Sequence, residues 1–298
     1  MRRCFAWPLF PDSPLPPVTS IQRRLNASLF QRGARYLGDE DTMLRPALAN
    51  GRGGGGVGGA AQTWGSLGVS GDSSPPWIEL AVMGRSNVGK STLLNALLGG
   101  RAGSDAFVPV SKRPGTTARL DFYGVGSGAA ASPLVLVDTP GYGFSSRGKA
   151  SSGAWMARIS GYLRTRRALN PSGLEGAPLL ARVLVLVDAR LGVTPQDAAV
   201  LAALDEARLP CWVALSKADL VGGALLEDVA ARTRRHLAGL RMPFPVLNAV
   251  SAATGAGMLQ LQLALLQVVK LHRLTEEDAA AHKRELDGGD AEPFPAKG

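Results

Sequence analysis

Short apolar runs alternate with amphipathic stretches from residue 77 onward. Runs rich in Val, Leu and Ile predict strands at residues 78–83, 120–125, 134–137, 183–187, 211–215 and 245–250. Helical patterns fall at residues 91–98, 154–167, 196–207, 225–240 and 258–274. Because apolar strands that alternate with helices are typical of a sheet covered on both sides, we predict an α/β fold with a mostly parallel six-stranded sheet. The runs at 120–125 and 134–137 are too close together for a crossover helix, so they predict a hairpin and one antiparallel strand.

The regions outside this pattern differ in composition. Residues 1–46 are rich in Arg, contain Ser and have Asp12 as the only acid before Asp39, which is typical of an organelle transit segment. A disordered extension without a targeting function is the alternative. Residues 47–76 are Gly-rich with little apolar surface, which predicts a disordered linker. The folded domain is then predicted at 77–275, followed by an acidic disordered tail at 276–298.

Charge and cysteine content narrow the classes of function. The net charge of +9 is concentrated in residues 77–275 and makes this domain a candidate for binding a polyanion. Ordinary surface charge for solubility is the alternative. No apolar run approaches the roughly 18 residues of a membrane span, so we expect no membrane partner. Cys4 and Cys211 have neither CxxC nor metal-ligand spacing, which argues against a disulfide framework and a zinc site.

A phosphate-binding loop is predicted directly after the first run. The segment Gly84-Arg-Ser-Asn-Val-Gly-Lys-Ser91 matches G-x-x-x-x-G-K-[ST], with a predicted strand before it and a helix after it. Backbone N–H groups of such a loop and the positive end of the following helix bind phosphate oxygens. Lys90 would neutralise β- and γ-phosphate charge, and Ser91 would bind Mg²⁺. The phosphate-binding candidates here are Gly84, Arg85, Ser86, Asn87, Val88, Gly89, Lys90, Ser91 and Thr92.

Two further segments have side chains that suit a nucleotide and its metal ion. Asp138-Thr-Pro-Gly141 follows a predicted strand and matches D-x-x-G, so Asp138 would hold Mg²⁺ through water and Gly141 would offer its N–H to the γ-phosphate. Between this segment and the phosphate loop lies Ser111-Lys-Arg-Pro-Gly-Thr-Thr117. A threonine in this position would close over the γ-phosphate and complete the magnesium shell, and Thr116 and Thr117 both qualify by chemistry. Gly115, Thr116 and Thr117 are therefore added to the phosphate-binding candidates.

The choice of base is predicted from Ser216-Lys-Ala-Asp219, a variant of [NT]-K-x-D after the run 211–215. The Asp219 carboxylate can accept hydrogen bonds from N1 and N2 of guanine together, which adenine cannot supply. Lys217 can lay its alkyl stem over the base, and Ser216 keeps a hydroxyl but has less reach than Asn. The backbone of Ser251, Ala252 and Ala253 follows the next run and can bind guanine O6. The motifs therefore favour GTP over ATP.

These motifs together resemble those of the EngB (YihA) GTPases, a family in the Era-related branch of translation GTPases. The resemblance covers roughly residues 77–274. It depends on Gly84-Arg-Ser-Asn-Val-Gly-Lys-Ser-Thr92, Ser111-Lys-Arg-Pro-Gly-Thr-Thr117, Asp138-Thr-Pro-Gly-Tyr-Gly143, Asp188-Ala-Arg190 and Ser216-Lys-Ala-Asp219. Trp155, Tyr162 and Arg166, which come after Gly143, add to it. The PGxT string of the family implies that Thr117, rather than Thr116, is the magnesium ligand. Ser216, the longer segment 170–180 and the added residues 1–76 depart from the family.

The resemblance implies a Ras-like fold, GTP hydrolysis with Mg²⁺ and a role in maturing the large ribosomal subunit. With the Arg-rich leader, it predicts an assembly factor for the large subunit of organellar ribosomes, first in the mitochondrial matrix and second in plastids. Tyr142 replaces the Gln that orients water in Ras-like enzymes, so we expect slow intrinsic hydrolysis. A GTP-binding scaffold that occupies ribosomal RNA with negligible hydrolysis is the alternative.

Two finer expectations concern RNA and a second cation. Basic residues after the segment Asp138-Thr-Pro-Gly141 are candidates for contact with ribosomal RNA, although a solvated helix face is an equal alternative: Arg158, Arg164, Arg166 and Arg167. In GTPases that resemble this one at the loop, the Asn at the position of Asn87 helps to bind K⁺ between the phosphates. A cation there would stabilise charge in the transition state.

Overall fold

One sheet of eight strands forms the centre of the part of the chain that the structure describes. The computed structural model describes residues 6–8, 30, 34–40, 43, 78–99, 107–109, 119–125, 134–142, 159–164, 166, 179–243 and 245–266. The strands are β1 (Ala6–Pro8), β2 (Ala34–Asp39), β3 (Ile78–Gly84), β4 (Asp121–Val125), β5 (Leu134–Asp138), β6 (Leu179–Asp188), β7 (Cys211–Ser216) and β8 (Val246–Ala249).

The strands lie in the order β1-β8-β7-β6-β3-β5-β4-β2. Neighbours from β8 to β5 run parallel, whereas β1 with β8, β4 with β5, and β2 with β4 are antiparallel. All residues of β3, β5 and β7 are buried, as expected for central strands that are covered on both faces.

The helices are α1 (Lys90–Leu97), α2 (helical residues 159–164 and 166), α3 (Pro195–Glu206), α4 (Gly223–Leu237) and α5 (residues 258–266). Successive residues of β3 point to opposite faces of the sheet, so Ala81 joins one apolar core and Leu80 the other. The first core contains residues of α2, α3 and α4, and the second contains residues of α1 and α5. Among the described residues, no helix has both the length and the apolar character needed to cross a membrane.

The predicted α/β class, the six predicted strands and the antiparallel hairpin of β4 and β5 are confirmed. The sheet was predicted to have six strands with one of them antiparallel, and these two numbers were wrong. The sheet has eight strands, because β1 and β2 extend its two edges in antiparallel pairs. Both added strands come from residues 1–46, which the sequence analysis had placed before the folded domain. Strand β2 has no apolar run, and β1 lies in a short apolar stretch that Pro8 interrupts, so neither shows the Val-, Leu- and Ile-rich pattern from which the other strands were predicted.

Strand β2 is fixed to β4 by side chains as well as by the ladder. The Tyr36 hydroxyl donates to Asp121 Oδ1 at 3.1 Å, and the Tyr36 and Tyr123 rings lie 5.5 Å apart between centroids. Arg119 Nη1 lies 2.9 Å from Asp39 Oδ2. An edge strand exposes unpaired backbone groups, so β2 protects the edge that β4 would otherwise present.

Two apolar side chains close to β2 in sequence lie in the cores. Phe30 is 5% exposed and belongs to the core of α1, whereas Met43 is 0% exposed and belongs to the core of α2. Burial of such a side chain contributes about 1.5–3 kcal/mol. Phe30, β2 and Met43 are therefore part of the folded unit.

Candidate nucleotide-binding site

The loops at one edge of the sheet bring the separately predicted segments together. Strands β3, β5, β6 and β7 run parallel, so the loops after their carboxyl ends lie along the same edge. These loops begin at Gly84, Asp138, Asp188 and Ser216. In an open parallel sheet, this edge is where ligands bind.

The phosphate loop, residues 84–89, makes a tight turn before α1. The Val88 N–H donates to the Arg85 carbonyl at 3.2 Å. Gly89 precedes the helix with a φ of 103°, a conformation readily available only to glycine, which explains the second glycine of the motif. The first N–H groups of α1 have no acceptor within the helix, so this end of α1 can bind an anion.

Lys90 lies buried at the start of α1. Its Nζ donates to the carbonyl oxygens of Gly84 at 3.2 Å and Arg85 at 3.5 Å. Burial lowers the pKa of the Lys90 ammonium, whereas the nearby Asp138 carboxylate acts in the opposite direction. The ammonium therefore lies against the phosphate loop.

The loop after β5 is joined to the phosphate loop through the backbone. Tyr142 N–H donates to the Gly84 carbonyl at 3.2 Å, and Ser86 N–H donates to the Tyr142 carbonyl at 3.0 Å. A Cβ on Gly141 would lie 2.9 Å from Ser86 N and 3.0 Å from Lys90 Nζ. Only glycine allows this approach, so the glycine of D-x-x-G is required by packing as well as by its predicted phosphate contact.

Asp138, a candidate ligand of Mg²⁺, is buried at the end of β5. Its carboxylate is 1% exposed, and burial raises its pKa to about 7 although the Lys90 ammonium opposes this shift. Within the described residues, Asp138 Oδ1 has no hydrogen-bond partner. A buried carboxylate oxygen without a partner close to the phosphate loop fits a hydrated Mg²⁺ ion.

The loop after β7 reaches back to the phosphate loop. The buried Ser216 hydroxyl donates to the Val88 carbonyl at 2.8 Å, a contact that the sequence analysis did not anticipate. Lys217 Nζ donates to the Asn87 carbonyl at 2.5 Å. Asp219 follows in the 3₁₀ turn Ala218–Leu220, and its side chain is exposed to solvent.

The loop after β8 lies beside the loop after β7. Ala218 N–H donates to the Val250 carbonyl at 3.1 Å, which brings Ser251 next to the turn that contains Asp219. Ser251 is buried and its Oγ accepts from Thr254 N–H at 3.1 Å, whereas Ala252 is half-buried and Ala253 is exposed. The predicted guanine-binding segments are therefore adjacent.

The other phosphate-loop candidates, Ser91 and Thr92, lie in the first turn of α1, and Gly115, Thr116 and Thr117 lie outside the described residues. Asn95, which the sequence analysis did not select, binds the backbone of Val108. Its side-chain amide donates to the Val108 carbonyl at 2.8 Å and accepts from Val108 N–H at 2.9 Å. A single Asn within a helical pattern gives no signal of such a contact.

Asp188 and Arg190 were part of the resemblance but had no predicted role. Arg190 Nε and Nη2 lie 2.9 and 2.7 Å from the two oxygens of Asp188, whose second oxygen also accepts from Lys217 Nζ at 3.0 Å. Asp188 is partly buried, but its bonds to Arg190 and Lys217 outweigh desolvation and lower its pKa to about 2.

Tyr142 occupies the position at which a Ras-like enzyme has its water-orienting Gln. Its side chain is 6% exposed, and its hydroxyl donates to Asp197 Oδ1 at 2.8 Å. Asp197 also forms the capping box of α3 with Thr194. Tyr142 is therefore anchored to α3, and its hydroxyl is engaged by a buried acceptor.

One of the four predicted RNA contacts was wrong. Arg166 is 1% exposed, and its Nε donates to Glu79 Oε2 at 2.8 Å, where the Tyr162 hydroxyl also donates. The guanidinium also lies 5.7 Å from the Phe122 ring centroid. A buried carboxylate below α2 requires this cation, since removing one partner of a buried ion pair typically costs about 3–5 kcal/mol.

Of the other three arginines, the structure describes only Arg164. Arg164 is exposed and lies beside an apolar cavity of about 230 Å³ whose lining also includes Leu163, Val200 and Leu204. Arg158 and Arg167 lie outside the described residues. Arg164 is therefore the described arginine of this group whose exposure allows a contact with RNA.

Comparison with known proteins assigns this chain to a family. The family model described as 50S ribosome-binding GTPase matches residues 79–217. A "Probable GTP-binding protein EngB" of Rhodopseudomonas palustris (strain HaA2) is 37% identical over 204 residues, which cover 68% of this chain and 86% of that protein. The chain belongs to the EngB family.

A second EngB relative, from strain BisB5 of Rhodopseudomonas palustris, is 38% identical over 200 residues, 66% of this chain and 84% of its own length. A crystal structure of a probable GTP-binding protein engB is 21% identical, with a TM-score of 0.45, and covers 64% of this chain and 98% of that one. EngB proteins bind and hydrolyse GTP, and GTPases of this family generally use Mg²⁺. The EngB chain described here is accordingly a GTPase.

Proposed function

We propose that this EngB-family GTPase assists assembly of the large subunit of mitochondrial ribosomes. The proposal depends on one observation: the match to a family described as 50S ribosome-binding GTPases coincides with the loops that the structure assembles at one sheet edge. The GTP-bound protein would bind immature ribosomal RNA and would leave after hydrolysis. Isolation of a tagged protein from mitochondria, followed by RNA identification, tests this directly. Enrichment of large-subunit RNA supports the proposal, and its absence contradicts it.

The nucleotide would bind along the edge formed by the loops after β3, β5, β7 and β8. The phosphate loop, Lys90 and Gly141 would bind the phosphates, whereas Lys217, Asp219 and the backbone of 251–253 would bind guanine. Ser216 would act mainly by holding the phosphate loop, because its hydroxyl is already bonded to Val88.

Mg²⁺ would be bound by the Ser91 hydroxyl and, through water, by Asp138, and Thr117 would complete the shell. The buried Asp138 oxygen without a partner in the described residues supports this assignment. When bound, the ion would neutralise β- and γ-phosphate charge beside Lys90.

Slow intrinsic hydrolysis is consistent with the anchored position of Tyr142, because among the residues that the structure describes no side chain takes the place of the Ras-like Gln. The same observation favours one second candidate, a GTP-binding scaffold that occupies ribosomal RNA without appreciable turnover. Single-turnover hydrolysis separates the two. A GTPase switch should be accelerated by immature large subunits, whereas a scaffold should show the same low rate with and without them.

Potassium is proposed as an additional cofactor at Asn87. Asn87 has an exposed side chain and a φ of 66°, and its carbonyl is occupied by Lys217, so the side-chain oxygen is the group that remains for a cation. We expect faster GTP hydrolysis in potassium than in sodium at equal ionic strength, and loss of this difference in Asn87→Ala with GDP binding nearly unchanged. Equal rates of the wild-type protein in both salts, free and ribosome-bound, would rule the site out.

Arg164 is proposed as an RNA contact on the exposed face of α2. Arg164→Glu should weaken binding to the large ribosomal subunit by about tenfold and reduce the salt dependence of binding, because one phosphate contact is lost and a repulsive charge is added. GTP affinity should not change. The matched control is Arg235→Glu, an exposed arginine on α4. Equal subunit binding by both variants, measured by co-sedimentation at two salt concentrations, would mean that Arg164 is ordinary surface charge.

The mitochondrial matrix is the proposed location, with plastids as the alternative, on the basis of the Arg-rich and acid-poor residues before Asp39. Because Phe30, β2 and Met43 are parts of the fold, we place any cleavage of a transit segment before Phe30, which would remove the short edge strand β1 with the segment. Import into isolated mitochondria, followed by sequencing of the mature N-terminus, tests both points. A mature protein that begins after Met43 would contradict the second.

A further inference from the structure

A network of three charged side chains connects the ends of β6 and β7. The Asp188 carboxylate receives two hydrogen bonds from the Arg190 guanidinium and one from the Arg190 backbone N–H at 3.0 Å. Its second oxygen also lies 3.0 Å from the Lys217 ammonium. Arg190 is half-exposed, whereas the Asp188 side chain is only 9% exposed, so the carboxylate is shielded by the two cations that it binds.

Lys217 extends from this network to the phosphate loop. The same Nζ that binds Asp188 donates to the Asn87 carbonyl at 2.5 Å. A Cβ built on Gly89 would lie 3.9 Å from Lys217 Cε, so the end of the alkyl stem passes directly over the loop. Lys217 therefore joins the predicted guanine side of the site to its phosphate side.

The backbone at both ends of this connection has an unfavourable conformation. Three non-glycine residues of the described chain have positive φ, and two of them are Asn87 at 66° and Lys217 at 57°. A left-handed conformation is unfavourable for residues with a Cβ, and such residues persist where surrounding contacts hold them in place. The bonds from Lys217 to Asn87 and Asp188 are contacts of this kind.

We propose that Asp188 is a positioning residue for nucleotide binding. Its carboxylate holds the Lys217 ammonium against the phosphate loop, so that the Lys217 stem is already in place to cover the base when GTP or GDP arrives. Arg190 fixes the orientation of the carboxylate by its paired hydrogen bonds and balances the charge. This role depends on the assignment of Lys217 to the guanine pocket, which the experiment below tests separately.

The chemistry explains why a carboxylate is needed at this position. Without it, the ammonium would have one carbonyl acceptor and a long, flexible stem, and ordering that stem would oppose nucleotide binding. An anion beside two cations also stays ionised, in agreement with the lowered pKa of Asp188. Loss of the charge should therefore weaken nucleotide binding without changing the phosphate contacts that decide the rate of hydrolysis.

A double-mutant cycle on the full-length protein tests the proposal, with the dissociation constant for GDP measured by titration calorimetry. Asp188→Asn keeps an oxygen for the Arg190 N–H but removes the charge, and should weaken GDP binding about tenfold. Lys217→Met keeps an alkyl stem but removes the ammonium, and should weaken binding by a similar factor. The double variant should bind GDP no more weakly than Lys217→Met alone. Asp188→Glu should recover part of the affinity.

The outcomes separate the possibilities. If Lys217→Met binds GDP as tightly as the wild type, the assignment of Lys217 to the base pocket is wrong. If Asp188→Asn weakens binding equally in both backgrounds, Asp188 does not act through Lys217, and the proposal is overturned. A merely structural role would lower the fraction of active protein without changing the dissociation constant, which the calorimetric stoichiometry reveals.

With GTP, Asp188→Asn should raise KM and leave kcat unchanged, whereas the control Asp228→Asn, on the exposed face of α4, should alter neither.

Discussion

Replacing Asp219 with asparagine is expected to weaken GTP binding at least about 100-fold and to create affinity for xanthosine triphosphate. The carboxylate would accept from N1 and N2 of guanine, and each hydrogen bond to a charged group contributes roughly 1.5–3 kcal/mol. An asparagine amide offers an N–H₂ group where xanthine has an oxygen, so the hydrogen-bond pattern is restored with the other base. The adjacent loops after β7 and β8 support the location of this pocket.

Competition binding with both nucleotides measures this change in preference. Asp228→Asn is the matched control, since it makes the same substitution on an exposed carboxylate that is paired with Arg232 on α4. Asp219 is exposed, so its replacement should leave the melting temperature unchanged. An unaltered preference for GTP in a folded Asp219→Asn protein would place the base pocket elsewhere.

Removing residues 1–43 is expected to lower the melting temperature by about 10–20 °C or to prevent folding. Removing residues 1–29 should have a much smaller effect, because the only described strand it takes away is the three-residue edge strand β1. The longer truncation removes Phe30, Met43 and strand β2, and exposes the edge of β4. Two large core side chains and a strand correspond to about 5 kcal/mol, comparable with the total stability of many domains. For a domain of this size, 1 kcal/mol shifts the melting temperature by about 2–4 °C.

Thermal unfolding of the two truncated proteins, monitored by circular dichroism, compares them directly. If the longer truncation is insoluble, Met43→Ala in the full chain provides the same information, with an expected loss of about 2–5 kcal/mol. Tyr36→Phe is a milder variant that removes only the hydrogen bond to Asp121. Equal melting temperatures of the two truncations would show that β2 contributes nothing to stability.

The nucleotide-binding segments could be predicted because each is a local pattern at the end of a strand. The phosphate loop, the segment from Asp138 to Gly141 and the segment from Ser216 to Asp219 each follow a strand, as predicted, and the fold brings them to the same sheet edge. The direct contacts between them were not predictable. The bonds of Ser216 to Val88 and of Lys217 to Asn87 join residues more than 100 positions apart.

Arg166 shows most clearly where reasoning from composition fails. In the sequence it belongs to a group of arginines on a helix, and such groups are usually exposed. In the fold, Glu79 lies below α2, and a buried carboxylate is stable only with a cation beside it. The residue 87 positions earlier in the chain therefore decides that Arg166 is buried while Arg164 stays on the surface.

By itself, the sequence determined the alternation of strands and helices, the order of the nucleotide-binding motifs and the family, because these depend on residues close together in the chain. Only the tertiary structure decided that β1 and β2 complete the sheet, that Tyr142 is bonded to Asp197, and that Asp188 binds Lys217. The physical reason is common to all three. A backbone edge, a buried hydroxyl or a shielded charge is stable only when a partner meets it, and in the fold that partner comes from a different segment of the chain.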